Sequence, residues 1–318
     1  MGSYFIKICI PPRAVNITLL FELIASMNLQ KLSIVAVLCV LFSSSAHALQ
    51  FRKEKHEFTI GSGRILRASL LIPHQPRDAK ILQKFPVFLV FGGFQNAARV
   101  LEVFQPNVPA IVASFDYPFD PPRKFEFPRI LRFAPQARQA IDDTLAGINE
   151  LKRILKSRAD VNPEQISIAG ASFGAPFAIA AAALDHEISG VVVIHGFGDV
   201  VGTAQSHLAR KWKESLGILA NPTAWLVSNL VGHYLNLPEL EKFASKLCSR
   251  QRVLMISAEA DRMIPSWSNA ALWNSLQASS ARVERIITPG DHIRHGSPEL
   301  ISGITAHVAA WMKANRLR

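Results

Sequence analysis

The chain reads as an α/β domain whose sheet is mostly parallel and covered by helices on both faces. Runs of strand length alternate with segments of helical period from residue 49 onward, an order that parallel crossovers impose. Several runs, Pro86 to Phe91 (PVFLVF) and Gly190 to Ile194 (GVVVI) among them, are apolar throughout, as in strands buried on both faces. With 49% hydrophobic and 19% charged residues in 318 positions, the composition supports one large core and no low-complexity tract or repeat.

Residues 1–48 stand apart from that core. From Met27 the chain has a basic residue (Lys31), an apolar run (Leu32 to Phe42), Ser43 to Ser45, then Ala46-His47-Ala48. That is the order of a secretory signal peptide with an A-x-A cleavage site. The apolar run is about half the roughly 20 residues needed to span a bilayer, so cleavage and export to the periplasm or beyond is expected over a retained anchor. Cys39 would suit a lipoprotein only if a small residue preceded it, and Leu38 does. Translation is expected to start at Met27, with 1–26 an over-extended reading of the gene; a real N-terminal extension is the alternative. Of Cys9, Cys39 and Cys248, only Cys248 then remains, so no intrachain disulfide is expected.

The formal charge is +11, and Lys7, Arg13 and Lys31 against Glu22 leave +9 for residues 49–318. The basic residues are scattered and not interleaved with aromatics, which argues against a nucleic-acid partner. Solubility, or attraction to an anionic surface such as a membrane, fits this charge.

Strands are expected at 56–60 and 64–72, joined by the turn Gly61-Ser62-Gly63. Others are expected at 86–91, 110–115, 166–169, 190–194, 253–257 and 283–287. Ile141, Leu145, Ile148, Leu151 and Leu155 recur at helical spacing within 135–157. Helices are also expected at 175–184 and 298–313. From about 200 to 251 no strand is evident, and apolar runs broken by Pro222 and Pro238 suggest a helical insertion. Chemistry in such sheets gathers at the C-terminal ends of the strands.

Gly170-Ala171-Ser172-Phe173-Gly174 fits G-x-S-x-G, with a strand before it and an Ala-rich helix after it. Gly170 and Gly174 suit a turn in which neighbouring chains approach closely. Ser172 is the candidate nucleophile. A serine hydroxyl needs a base, and the base needs an orienting acid. Asp261 follows the strand 253–257 and is the preferred acid. Glu259 and Asp199 are the alternatives, each also suited to a loop or a helix cap. After the last strand, His292 and His295 compete as base, and His292, directly after Gly290-Asp291, is preferred. The developing oxyanion needs amide donors. Phe173 N–H and Phe94 N–H are the candidates, with Gly92 and Gly93 allowing a close backbone approach. His195-Gly196-Phe197-Gly198 looks like an oxyanion loop but lies after the nucleophile, where a pocket wall is expected.

These motifs resemble the α/β-hydrolase superfamily across essentially all of 50–316. Gly170 to Gly174 is similar to its nucleophile elbow and Ser257 to Pro265, with Asp261 followed by an apolar-Pro pair, to its acid loop. Pro289 to His292 is similar to its histidine loop, and 200–251 to its cap. Phe91 to Phe94 resembles the oxyanion loop, with Gly92 where the family usually has His. The resemblance implies an α/β-hydrolase fold and a serine hydrolase cleaving carboxylic esters without metal or organic cofactor. The same triad would serve peptide or amide hydrolysis or acyl transfer, and the fold also hosts non-catalytic binding proteins. Trp212 and Trp225 in the insertion suit an apolar small-molecule acyl substrate or simple packing. Oligomeric state has no sequence signal.

Overall fold

A computed structural model describes residues 49–75, 83–93, 96–104, 108–119, 134–237, 239–294 and 296–317. Residues 1–48, on which the expected signal peptide falls, and Phe94 and His295 lie outside the described residues. In chain order the elements are β1 (Phe51–Thr59), β2 (Ile65–Pro73), β3 (Phe85–Phe91), α1 (Ala97–Val103), β4 (Ile111–Phe115) and α2 (Ala134–Lys156). Next come β5 (Val161–Ala171), α3 (Ala175–Leu184), β6 (Ile188–Ile194), α4 (Val200–Leu216), α5 (Ala220–Tyr234) and α6 (Leu240–Ala244). The chain closes with β7 (Arg252–Ala258), α7 (Ser266–Gln277), β8 (Arg282–Thr288) and α8 (Pro298–Ala314).

The eight strands form one sheet in the order β1-β2-β4-β3-β5-β6-β7-β8. Only β1–β2 and β2–β4 pair antiparallel; every other pair is parallel. The β1–β2 turn closes through Gly63 N–H on Ile60 O at 2.8 Å, with Gly63 at φ +79°. The continuous apolar run of β3 has a simple cause. Val87, Leu89 and Phe91 enter the core layer under α2, α3 and α7, while Phe88 and Val90 enter the layer under α1 and α8. Ile148, Leu151 and Leu155 bury one stripe of α2 in the first layer, as their spacing predicts.

Three short features depart from the sequence reading. Helix α1, of seven residues, is too short to show a period, and the buried stripe of α7 includes the polar Ser268 beside Leu272 and Leu276. The insertion between β6 and β7 is helical, but its last part is not a cap. Leu240, Ala244 and Leu247 join the core layer that holds α3. Gln251 is fully buried and donates from Nε2 to Ala182 O (2.7 Å) and Ile188 O (3.0 Å). The cap therefore narrows from 200–251 to α4, the 3₁₀ turn Gly217–Leu219, and α5. Among the described residues, no helix is long and apolar enough to cross a membrane.

Candidate active site

Strand β5 ends at Ala171, a 3₁₀ turn covers Ser172–Gly174, and α3 starts at Ala175 with Pro176 in its first turn. Ser172 sits at φ +52°, a left-handed backbone that costs a non-glycine residue on the order of 1–3 kcal/mol. The flanking glycines make the turn possible. A Cβ on Gly170 would overlap Gly174 O and lie 2.6 Å from Ala175 Cα. A Cβ on Gly174 would overlap Phe91 O at the end of β3.

The loops after β7 and β8 deliver the other two groups. His292 Nε2 is 2.8 Å from Ser172 Oγ, and His292 Nδ1 is 2.8 Å from Asp261 Oδ2. The other carboxylate oxygen of Asp261 accepts the N–H groups of Met263 and Ile264, both at 2.8 Å. Burial works to raise the Asp261 pKa. The hydrogen bonds from His292, Ile264 and Met263 outweigh it and hold the carboxyl below its ordinary value. The ring of His292 is buried, so little water competes for either nitrogen.

Each loop is itself pinned. Asp291 Oδ1 accepts Arg262 N–H (2.8 Å) and His292 N–H (2.7 Å), tying the histidine loop to the acid loop. From the cap, Arg210 donates to the carbonyls of Arg262 and Met263, so α4 lies against the acid loop. After β4, Asp116 Oδ1 accepts Ala97 N–H at 2.7 Å and Tyr117 Oη donates to Gly92 O at 2.8 Å. These two neighbours brace both flanks of the segment containing Phe94. Tyr117 also packs edge-on against Phe173, at 5.6 Å between centroids.

Of the candidate residues, Ser172, His292 and Asp261 come together. Phe173 follows Ser172 at the start of the helical run, the end of a helix that favours negative charge. The position where Gly93 would carry a Cβ is open for at least 4 Å. The alternative acids lie elsewhere. Glu259 is exposed and its backbone N–H is bound to Thr288 O. Asp199 caps α4, accepting Gly202 N–H at 2.9 Å. His195 is not on a pocket wall: it is 0% exposed and accepts Ile293 N–H on Nδ1 at 2.8 Å. Trp225 is exposed on the cap and not packed into a pocket.

Among the described residues, one group has donor atoms close enough to share a metal ion. His195, Asp261 and His292 each offer a ligand atom within 4.8 Å of the others. The nitrogens and oxygens of that set are already engaged in the hydrogen bonds above.

Sequence comparison meets this geometry at one point. A family model described as the alpha/beta hydrolase fold matches residues 88–294. The chain belongs to the α/β-hydrolase family. Solved structures agree on the fold of this hydrolase. An esterase from Pyrobaculum calidifontis is 17% identical with a TM-score of 0.59, covering 92% of this chain and 95% of its own. The 2,6-dihydroxy-pseudo-oxynicotine hydrolase is 17% identical with a TM-score of 0.55, over 81% of this chain. The acylaminoacyl peptidase of Pyrococcus horikoshii is 15% identical with a TM-score of 0.58, over 86% of this chain. The hydrolase spans 66% of the length of the second of these and 43% of the third. No curated protein matches it in sequence.

Asp291, Asp116, Tyr117 and His195 were not assigned these roles by the sequence. Asp116 and Tyr117 share the signal that singled out Asp261, a polar residue just past a buried strand. Asp291 is adjacent to His292. His195 binds a backbone amide far along the chain, and no spacing records that.

Proposed function

We propose that this hydrolase cleaves carboxylic esters through an acyl-enzyme on Ser172. The observation that carries the reading is the unbroken relay from Asp261 through His292 to Ser172, two contacts of 2.8 Å each. As Ser172 Oγ adds to the ester carbonyl carbon, its proton passes to His292 Nε2. The ionised Asp261 holds Nδ1–H and stabilises the imidazolium that forms. Phe173 N–H holds the oxyanion, with Phe94 N–H the second donor that the resemblance implies. Collapse of the adduct breaks the bond to the alkoxy oxygen, which takes the proton from His292. Water, deprotonated by the same nitrogen, then adds to the acyl carbon and releases the acid and Ser172.

Esterases among the structural neighbours are a precedent for ester substrates, and the acylaminoacyl peptidase is one for the amide alternative. A fluorophosphonate probe, followed by a panel of short- and long-chain nitrophenyl esters beside aminopeptide substrates, tests the reading. Labelling that Ser172→Ala removes, with turnover of esters above peptides, is the expected result. An unlabelled protein, or unchanged turnover in Ser172→Ala, would sink it. We further propose that 27–48 is removed on export, which N-terminal sequencing of the secreted protein checks.

A further inference from the structure

The backbone that carries His292 is held from behind by a second histidine. His195 stands at the end of β6, at φ +47°. Its N–H donates to Ile256 O of β7 at 2.7 Å. Its Nδ1 is 2.8 Å from Ile293 N, whose only hydrogen makes the backbone the donor and Nδ1 the acceptor. Nδ1 therefore carries no proton, and the ring's hydrogen sits on Nε2. That nitrogen faces Thr288 Oγ1 at 3.4 Å, and Thr288 Oγ1 in turn lies 3.3 Å from Ser257 O. One fully buried residue thus bonds β7 through its backbone and, through its ring, the end of β8 and the residue next to His292.

We propose that His195 is a positioning residue for the reaction at Ser172, acting as an uncharged acceptor that locks Ile293 N–H and so sets the aim of the His292 ring. The inference rests on the reading of His292 as the base. The fold makes the role specific. Ile293 is half-buried and its N–H points at a fully buried ring, so loss of that ring leaves the donor without its partner and the loop free to shift. A displacement of about 1 Å in a catalytic group costs up to about 100-fold in rate. An imidazolium could not serve, because both its nitrogens donate. The surroundings keep the ring neutral: burial first, then the ring of His292 with its centroid 5.4 Å away, against weaker attraction from Asp261 and Asp291. Together these push the His195 pKa down to about 4.

Two substitutions separate positioning from mere packing. Asparagine tolerates a left-handed backbone and places Oδ1 where Nδ1 stands; glycine tolerates the backbone and offers no acceptor. The probe is p-nitrophenyl butyrate, with rates referred to fluorophosphonate-titrated sites and measured well below each variant's melting temperature. His195→Asn is expected to keep kcat within about threefold of the wild type. His195→Gly is expected to lose about 10- to 100-fold in kcat with KM unchanged within about twofold. Amide hydrogen exchange at Ile293 gives the second readout, protected in the wild type and His195→Asn and faster in His195→Gly. A His195→Gly enzyme with wild-type kcat, or equal losses in both variants, overturns the proposal. So does an Ile293 amide that exchanges alike in all three. If Ser172→Ala retains turnover, it is the ester-hydrolase reading that fails, and Ile293 exchange still decides whether His195 holds the loop.

Discussion

The sheet's C-terminal edge and the cap follow opposite rules. At the edge, nearly every polar atom near Ser172 has a partner: Asp261 accepts three hydrogen bonds and Asp291 joins two loops. The backbone there is left-handed at Ser172 and His195, held so by the packing around it. The cap instead turns apolar residues to solvent. Ile218 is 94% exposed, and Leu219, Trp225, Leu226 and Leu230 are each more than half exposed. The edge is over-determined and the cap is loosely constrained. Function that demands fixed atoms belongs to the first, and tolerance of substitution to the second.

Substitutions at the edge should have the larger consequences. Ser172→Ala is expected to lower ester hydrolysis by about 10⁴-fold or more while leaving the circular dichroism spectrum unchanged. His292→Ala should match it in loss of fluorophosphonate labelling, and His295→Ala should not; the reverse pattern would reassign the base. Gly174→Val drives a side chain into Phe91 O, and a urea melt should show at least about 3 kcal/mol lost, or no soluble protein.

Acid should find the edge before the cap. An unfolded histidine binds its proton near pH 6.5, whereas folded His195 waits until about 4. Between those values the unfolded chain holds the extra proton, so this group's stability is present above 6.5 and falls as pH drops. The slope is about 1.4 kcal/mol per pH unit. Asp261, with its pKa lowered in the fold, contributes above the ordinary carboxylate value of 3.8 and loses that contribution below it. Melting temperatures between pH 7 and 5 should therefore fall more steeply in the wild type than in His195→Asn. Equal slopes would contradict the neutral ring. The smallest effect belongs to the cap, where Ile218→Ser should change stability by no more than about 0.5 kcal/mol in the same melts.

This division also explains what could be read from the sequence. Strands β3 through β7 were legible because burial on both faces demands apolar runs, and the edge strand β8 because Val283, Ile286 and Ile287 still mark it. Only β5 begins well before its run, as Val161 pairs with Phe85 across a register shift. The grouping of Ser172, Asp261 and His292 was legible because chain order and strand ends limit which residues can meet. Helix α6 and the core return of 240–251 were not, since five residues carry no period. Nor were the braces at Tyr117 and His195. Each binds a backbone atom, Gly92 O or Ile293 N, and any residue type supplies those.

The left-handed backbone at Ser172 means that the working form of this chain is not its most durable one. Glycine at 172 would relax that torsion, so Ser172→Gly should melt above the wild type, by about 1 kcal/mol, and be inert. A lineage released from its chemistry would drift readily toward that substitution. On the reading of Ser172 as nucleophile, this serine trades endurance for reaction.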